Sequence, residues 1–281
     1  MKKLFCIPGG GTSCVMYLPW NRLFKPEYDI CPLEIPGRGY KDSKPALDDL
    51  CDIAEELTQE IKKAVGDEKY SIFGYCFGGL LAYEVSRRLE AMGEKTPENV
   101  YICGSTCPEP KDDAIQEPML KRENCRAELR KMLYRFFPPY LFTNSNQLRE
   151  TCEKYMDCML GKYDEYGNIM PVTVDELDLS DEDKDNRSVK YIIKFANSFF
   201  TNYMHDERAA VKYYYTDKAA QKLKTPLTLV CGRYDTVIGT SWNEWKNWAE
   251  NIRDIKILET NHFTLTQDPK VIYSIIRESE N

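Results

Sequence analysis

A cysteine flanked by two glycines is the first feature of this sequence with chemical potential. Residues 73–79 read FGYCFGG, so Gly74 and Gly78 stand two positions to either side of Cys76. The residues before this stretch have the composition of a short buried strand, and those after it begin a helical pattern. A tight strand-to-helix turn strains its central residue, and small neighbours let strand and helix approach closely. The pattern predicts that Cys76 is a nucleophile presented at such a turn.

A thiol nucleophile needs a base, and the chain has two histidines, His205 and His262. His262 directly follows the last strand-like run, where a loop at the carboxyl edge of a parallel sheet would hold it over Cys76. An imidazole there takes the thiol proton, and the N-terminus of the following helix favours the thiolate. We therefore predict that His262 is the base. His205 falls in a helical segment, and we expect it in a lid or pocket wall.

A carboxylate is expected to fix the tautomer and charge of the imidazole. Asp235 stands just past the fifth strand-like run, in LTLVCGRYDTVI, 27 residues before His262. Alone it would be an ordinary turn aspartate. Together, the order nucleophile, acid, histidine matches the order of an α/β-hydrolase and predicts a triad of Cys76, Asp235 and His262.

The oxyanion of an acyl-transfer reaction requires two backbone N–H groups aimed at it. Phe77, as the residue after the nucleophile, is expected to supply one. The other is expected from the glycine loop (residues 7–13, IPGGGTS), because glycines let the backbone turn its amides inward. This loop lacks the GKS or GKT ending of a nucleotide P-loop, so the sequence does not indicate a nucleotide site.

The elements that must position these residues alternate along the chain. Mostly uninterrupted apolar runs predict strands covered on both faces, at 4–8, 30–35, 70–76, 100–104, 227–231 and 255–258. Helical patterns lie between them, at 47–65, 77–92, 242–252 and 269–277. The alternation predicts an α/β fold, with a mostly parallel central sheet and helices on both faces.

The alternation stops after about residue 108. Helical patterns follow at 120–137, 146–160 and 189–205, with the acidic run DELDLSDEDKDN at 175–186. We interpret the acidic run as a solvated loop rather than a metal site. The helical interval, approximately 108–200, is interpreted as a lid inserted into a single domain that spans residues 1–281.

Composition narrows the class of protein. The 281 residues carry a formal net charge of -7, which argues against nonspecific binding to nucleic acid or to an anionic membrane. The N-terminus has too few apolar residues for a signal peptide, and no run approaches a membrane span, so we expect a cytoplasmic protein. Eleven cysteines without a CxxC pair, and two histidines, predict reduced thiols and no zinc site.

The motifs together resemble the type II, or editing, thioesterases that accompany nonribosomal peptide and polyketide synthases, within the α/β-hydrolase superfamily. The matching segments are LFCIPGGGTSCVMYLPW, IPGRG at 35–39, FGYCFGGLLAYEVSRRL, and CGRYD with NHFTL. Two features depart from the family pattern. The family usually has serine at the position of Cys76, and a different sequence where Gly9, Gly10, Gly11 and Thr12 follow the first proline.

The resemblance implies removal of acyl groups from the phosphopantetheine arm of an acyl or peptidyl carrier protein, through an acyl-enzyme on Cys76 and without a cofactor. It places the second oxyanion amide at Gly10. We expect a monomer that binds no nucleic acid and no membrane. Three other functions stay open: a small-ester or lactone hydrolase of the dienelactone type, an acyltransferase or cyclase with an amine acceptor, and a non-enzymatic carrier-binding protein.

A basic segment suggests where a carrier protein would dock. Residues 121–135 hold six basic and two acidic residues, and Arg122, Arg126 and Arg130 fall on one helical face. On an acidic chain this local excess fits an acidic carrier protein or the phosphate of its arm. An ordinary solvated amphipathic helix is the alternative interpretation.

Overall fold

Six parallel strands form the central sheet of the computed structural model, which describes residues 1–108, 125–136, 146–164, 168–214, 222–262 and 268–280. They are β1 (Lys2–Ile7), β2 (Tyr28–Pro32), β3 (Tyr70–Tyr75), β4 (Val100–Cys103), β5 (Leu227–Gly232) and β6 (Ile252–Leu258). Their order in the sheet is β2-β1-β3-β4-β5-β6. Each strand-like run of the sequence is a strand, and the predicted α/β fold is confirmed.

The strand order reverses beside β1, and this fixes where a site can form. β1 pairs with β2 on one edge, with Cys6 opposite Pro32, and with β3 on the other, with Ile7 opposite Gly74. Chain connections therefore leave the carboxyl ends of β1 and β3 in opposite directions. A crevice opens at such a switch point in a parallel sheet, and ligands bind there.

Helices cover both faces of the sheet, because alternate strand residues point to opposite sides. Phe5 and Ile7 of β1 belong to one apolar core, which includes α2 (Leu50–Val65) and α3 (Phe77–Ala91). Leu4 and Cys6 belong to a second core, which includes α1 (Trp20–Phe24) and the C-terminal helix α8 (Pro269–Glu280). β3, β4 and β5 are buried along their whole length, and therefore on both faces, which explains their continuous apolar runs.

The chain divides into two compact units, one of residues 1–110 with 205–281 and one of residues 111–204. The described helices of the second unit are α4 (Cys125–Phe136), α5 (Asn146–Leu160) and α6 (Asp181–Asp185), and α7 (Arg187–Tyr214) begins in it and ends in the first. The predicted helical insertion at 108–200 overlaps this unit along the chain. Its parts at 109–124, 137–145 and 165–167 lie outside the described residues. Its role as a lid stays a prediction, as does the single domain.

Two local predictions were wrong. The segment 242–252 is not an α-helix: a 3-10 helix covers Ser241–Asn247, and the chain then enters β6. The Trp248 carbonyl accepts from Leu223 N–H, and Glu250 N–H donates to the Leu223 carbonyl, so these groups are not free to continue a helix. The acidic run is not only loop, since it contains a 3-10 turn and α6, whose first turn is capped by the Ser180 side chain.

We predict that Gly74→Ala destabilises the protein, because strand and helix backbones meet there. A Cβ on Gly74 would lie 2.1 Å from the carbonyl oxygen of Gly78. The free energy of unfolding is expected to fall by about 1–3 kcal/mol in urea denaturation followed by circular dichroism. Gly161→Ala is the control, since its Cβ would meet only Cys158 O at 3.7 Å. Equal stability of the two variants would contradict the close approach.

Candidate active site

Cys76 occupies the turn between β3 and α3 in a strained backbone conformation. Its φ is 54° and its ψ is -119°, and among the described residues no other non-glycine has a positive φ. Such conformations are sparsely populated and persist only where the surroundings impose them. Here the surroundings are backbones: a Cβ on Gly78 would lie 2.4 Å from the carbonyl oxygen of Ile7 in β1. The two glycines are therefore required for the turn that presents the thiol.

The turn also fixes the start of α3 beneath the thiol. Cys76 N–H donates to the Cys103 carbonyl of β4 at 2.8 Å, and the Cys76 carbonyl accepts from Gly79 N–H at 2.8 Å. The helix N-terminus favours negative charge at the residue that precedes it. Cys76 is half-buried, whereas Cys6 and Cys103, in the neighbouring strands, are buried.

The predicted acid and base meet at the ends of β5 and β6. His262 Nδ1 lies 2.8 Å from Asp235 Oδ2, and each residue is only 4% exposed. Asp235 Oδ1 accepts from the N–H groups of Val237 at 2.9 Å and Ile238 at 3.1 Å, which holds the carboxylate in place. With Nδ1 turned to Asp235, Nε2 is the nitrogen left for Cys76, which is hydrogen-bonded to the ring. The structure thus brings together the three residues of the predicted triad.

Charges in this cluster stabilise one another. Burial raises the pKa of the Cys76 thiol. The His262 charge and the N–H groups of Phe77 and Gly10 together lower this pKa by more than burial raises it, so the net shift is downward. Burial lowers the pKa of His262, but the Cys76 thiolate and the Asp235 carboxylate raise it to about 10. These opposite shifts favour a thiolate beside an imidazolium, which is the reactive form of a cysteine nucleophile.

Both predicted oxyanion amides lie at the nucleophile. The N–H groups of Phe77, the first residue of α3, and of Gly10, in the glycine loop, lie close enough to the Cys76 sulfur to lower the pKa of its thiol. Backbone donors aimed at this point need no reorganisation when charge develops on a reacting oxygen. Their role as an oxyanion hole stays a prediction.

Tyr75 contacts this site, although the sequence analysis did not select it. Its hydroxyl donates to the His262 carbonyl at 3.0 Å, and its ring lies 5.5 Å from the His262 ring. A Cβ on Gly9 would approach the same ring to 2.8 Å. Tyr75 therefore packs between the histidine segment and the glycine loop. A tyrosine directly before the nucleophile in an apolar strand was the available signal.

His205 has other partners. Its Nδ1 is paired with Asp48 Oδ1, and Arg208 lies 3.0 Å from the same nitrogen. His205 therefore belongs to a separate polar cluster, with Asp48 and Arg208, in the first unit. The predicted place of His205 in a lid or pocket wall is not tested by these contacts.

The basic helix of the second unit is α4, and Arg126 and Arg130 in it are paired within that unit. Arg126 forms salt bridges with Glu153 and Asp157 of α5, and Arg130 forms one with Glu153. These salt bridges explain the basic face of α4 by packing of α4 against α5, which is an alternative to docking of a carrier protein. Arg122 lies outside the described residues.

The described part of the chain contains neither a cluster suited to a metal ion nor a helix suited to a membrane. No group of three or more His, Cys, Asp or Glu side chains there is arranged to hold a metal ion. None of its helices combines the length and the apolar character needed to cross a membrane.

Comparison with known proteins gives the family. The thioesterase domain model matches residues 2–165, which is more than half of the chain. The chain belongs to the thioesterase family. The matched part of this thioesterase includes the Cys76 turn and the glycine loop, whereas Asp235 and His262 lie beyond it.

Curated relatives are distant and are matched over less than half of their length. The gramicidin S biosynthesis protein GrsT of Aneurinibacillus migulanus is 25% identical over 107 residues, which cover 38% of this chain and 41% of the relative. The medium-chain S-acyl fatty acid synthase thioesterase of Anas platyrhynchos is 24% identical over 106 residues, 38% of this chain and 42% of the relative. The chain thus spans about two fifths of the length of these relatives.

Solved structures share the fold over the whole chain. The RedJ thioesterase of the prodiginine pathway in Streptomyces coelicolor has a TM-score of 0.68 at 19% identity, over 99% of this chain and 85% of that one. The type II thioesterase BorB from the borrelidin biosynthetic cluster has a TM-score of 0.67 at 20% identity, over 100% of this chain and 93% of that one. At these identities the likeness establishes the fold alone.

We predict that Cys76 is alkylated by iodoacetamide at a pH where ordinary thiols are not. Because its pKa is lowered, the thiolate persists below the ordinary thiol value of about 8.5 and disappears as pH falls through the lowered pKa. His262→Gln removes the imidazolium charge and is expected to raise the Cys76 pKa. Peptide mapping of the label against pH measures both.

Cys158 is the internal control for this measurement. It is also half-buried, but burial and the charge of Glu176 raise the pKa of its thiol. Labelling of Cys76 and Cys158 with the same pH dependence would contradict the thiolate–imidazolium pair.

Proposed function

We propose that this thioesterase releases acyl groups from the phosphopantetheine arm of carrier proteins, as a type II enzyme of nonribosomal peptide or polyketide synthesis. One observation carries the proposal. In a member of the thioesterase family, the thiol of Cys76 contacts a histidine held by a buried aspartate, and two backbone N–H groups near the sulfur lower the pKa of the thiol. That set matches the needs of acyl transfer from a thioester: nucleophile, acid–base group and oxyanion donors.

The relatives support the same class of substrate. GrsT takes part in gramicidin S biosynthesis, and BorB is a type II thioesterase of the borrelidin cluster. YbtT, with a TM-score of 0.65 at 17% identity, over 99% of this chain and 92% of that one, is a type II thioesterase of the yersiniabactin NRPS/PKS pathway. Acyl groups in such pathways are carried as thioesters, and that bond is the one we propose for this chain.

The first step forms the acyl-enzyme. The Cys76 thiolate attacks the thioester carbonyl carbon, and the N–H groups of Phe77 and Gly10 stabilise the resulting oxyanion. The bond between carbonyl carbon and pantetheine sulfur then breaks, and the departing sulfur takes the proton of the His262 imidazolium. Because the thiolate is already formed, no proton has to leave Cys76 during the attack.

The second step uses the altered charge of the site. Acylation removes the negative charge of Cys76, which is one cause of the raised pKa of His262, while burial continues to favour the neutral ring. His262 is then a base that takes a proton from water, and the hydroxide adds to the acyl carbon. Collapse releases the carboxylic acid and restores the thiolate and the imidazolium. Asp235 keeps the ring oriented in both steps.

We expect an acyl adduct on Cys76 when the protein is mixed with a carrier protein loaded with an acyl thioester. Intact-mass measurement is expected to show the adduct, with free acid and unloaded carrier as products. Cys76→Ala should show no adduct and lose turnover by about 10³-fold or more. Cys158→Ala is the matched control and should behave as the unmodified protein.

Other outcomes would favour the alternative functions. Faster turnover of a small ester or lactone than of a carrier-bound thioester with the same acyl group would favour a hydrolase of the dienelactone type. Carrier binding without turnover, together with ordinary pH dependence of Cys76 labelling, would favour a non-enzymatic binding protein.

A cysteine nucleophile also bears on the choice of acceptor. A thioester intermediate reacts with amines, relative to water, more readily than an oxygen ester does, so we expect more amide product from this chain than from Cys76→Ser. The measurement adds a competing amine to the loaded carrier reaction and quantifies amide against free acid. Free acid as the only product of both proteins would contradict an acyltransferase or cyclase activity.

A further inference from the structure

The glycine loop is held by a buried ion pair that the triad does not use. Gly11 N–H donates to Asp206 Oδ2 at 2.8 Å. Arg38 holds the same carboxylate with two hydrogen bonds, from Nη1 to Oδ2 at 2.7 Å and from Nη2 to Oδ1 at 2.6 Å. Both charged side chains are 2% exposed. A bidentate pair of this kind fixes orientation as well as charge.

Three distant parts of the chain meet at this pair. Arg38 belongs to the IPGRG segment after β2, and Asp206 lies on α7, in the part that belongs to the first unit. Arg38 Nη1 also donates to the Thr12 carbonyl at 3.2 Å. The pair therefore forms hydrogen bonds with two successive residues of the glycine loop, at the amide of Gly11 and at the carbonyl of Thr12.

Adjacent amides of this loop point to different partners. Gly10 N–H lies near the Cys76 sulfur and lowers the pKa of its thiol, whereas Gly11 N–H donates to Asp206. Gly11 has a φ of 73°, a conformation that glycine adopts without strain. Three consecutive glycines have no side chains to select one backbone path, so the direction of the Gly10 amide depends on what holds its neighbours.

The ends of the loop have separate supports. Gly9 packs against the Tyr75 ring, and at the other end Glu34 accepts from Cys14 N–H at 3.2 Å and from the Ser13 hydroxyl. Between these supports, Gly11 N–H donates to Asp206 and the Thr12 carbonyl accepts from Arg38, while the N–H and hydroxyl of Thr12 donate to the Gly9 carbonyl within the loop.

We propose that Arg38 and Asp206 are positioning residues that hold the Gly10 amide toward the reacting carbonyl, an inference that rests on the proposed thioesterase mechanism. Asp206 orients the loop through Gly11. Arg38 orients Asp206 and cancels its charge, which would otherwise oppose an oxyanion forming nearby.

The test compares a neutral pair with single changes. Arg38→Met with Asp206→Leu removes both charges at similar volume, so no buried charge is left unpaired. We expect kcat on an acyl thioester to fall about 10–100-fold with KM changed less than about threefold, because the lost contact acts on the transition state. The pH at which Cys76 is half-alkylated by iodoacetamide should rise, because the Gly10 amide no longer stabilises the thiolate.

Two single variants keep the test decisive if the double variant does not fold. Asp206→Asn retains an acceptor for Gly11 N–H, and Arg38→Lys retains the charge but not the bidentate grip. We expect each to show a smaller loss of kcat and a smaller rise in the alkylation pH. Glu84→Gln is the control, since Glu84 is a buried partner of Arg87 and Arg88 in α3 and should change stability without changing either readout.

The outcomes separate this proposal from the proposed function. Wild-type kcat and an unchanged Cys76 alkylation profile in the folded variants would overturn the positioning role. A shifted alkylation profile in a protein that does not turn over carrier-bound thioesters would support the positioning role and reject the proposed function.

Discussion

The close contact of three backbones at the carboxyl ends of β1 and β3 is the constraint on which the rest of the site depends. Gly74 lies against Gly78, and Gly78 lies against the Ile7 carbonyl. This contact forces Cys76 into its positive φ and brings the glycine loop beside the thiol. The strand order also switches at this place, which is where open parallel sheets bind ligands. This one backbone contact therefore sets the position of the Cys76 nucleophile and of the backbone N–H groups near it.

The second constraint is electrostatic and concerns how charged side chains are paired at the site. A buried ion is unfavourable unless it is paired, and the site contains two such pairs: Cys76 with His262, and Arg38 with Asp206. The first changes charge during the proposed reaction, while the second has no proton to exchange in it. In the proposed reaction, the charges of Cys76 and His262 therefore change while the pair of Arg38 and Asp206 that holds the glycine loop keeps its charges.

The sequence predicted the strands, the main helices and the meeting of Cys76, Asp235 and His262, because each of these follows from local patterns. Apolar runs mark strands buried on both faces, and the ends of parallel strands share one edge. The ion pair of Arg38 and Asp206 has no local pattern, since the partners stand 168 positions apart. The false helix at 242–252 failed for the same reason: long-range hydrogen bonds to Leu223 outweigh a local periodicity.

The lowered pKa of the Cys76 thiol has a consequence beyond acyl transfer. A thiol of lowered pKa is oxidised to sulfenic acid by peroxides more readily than an ordinary thiol where solvent reaches it, and oxidation beyond sulfenic acid is irreversible. Serine at the same turn would be inert to such oxidants. The residue that makes Cys76 ready to attack without a prior proton transfer thus also ties the working state of this protein to the redox condition of its surroundings.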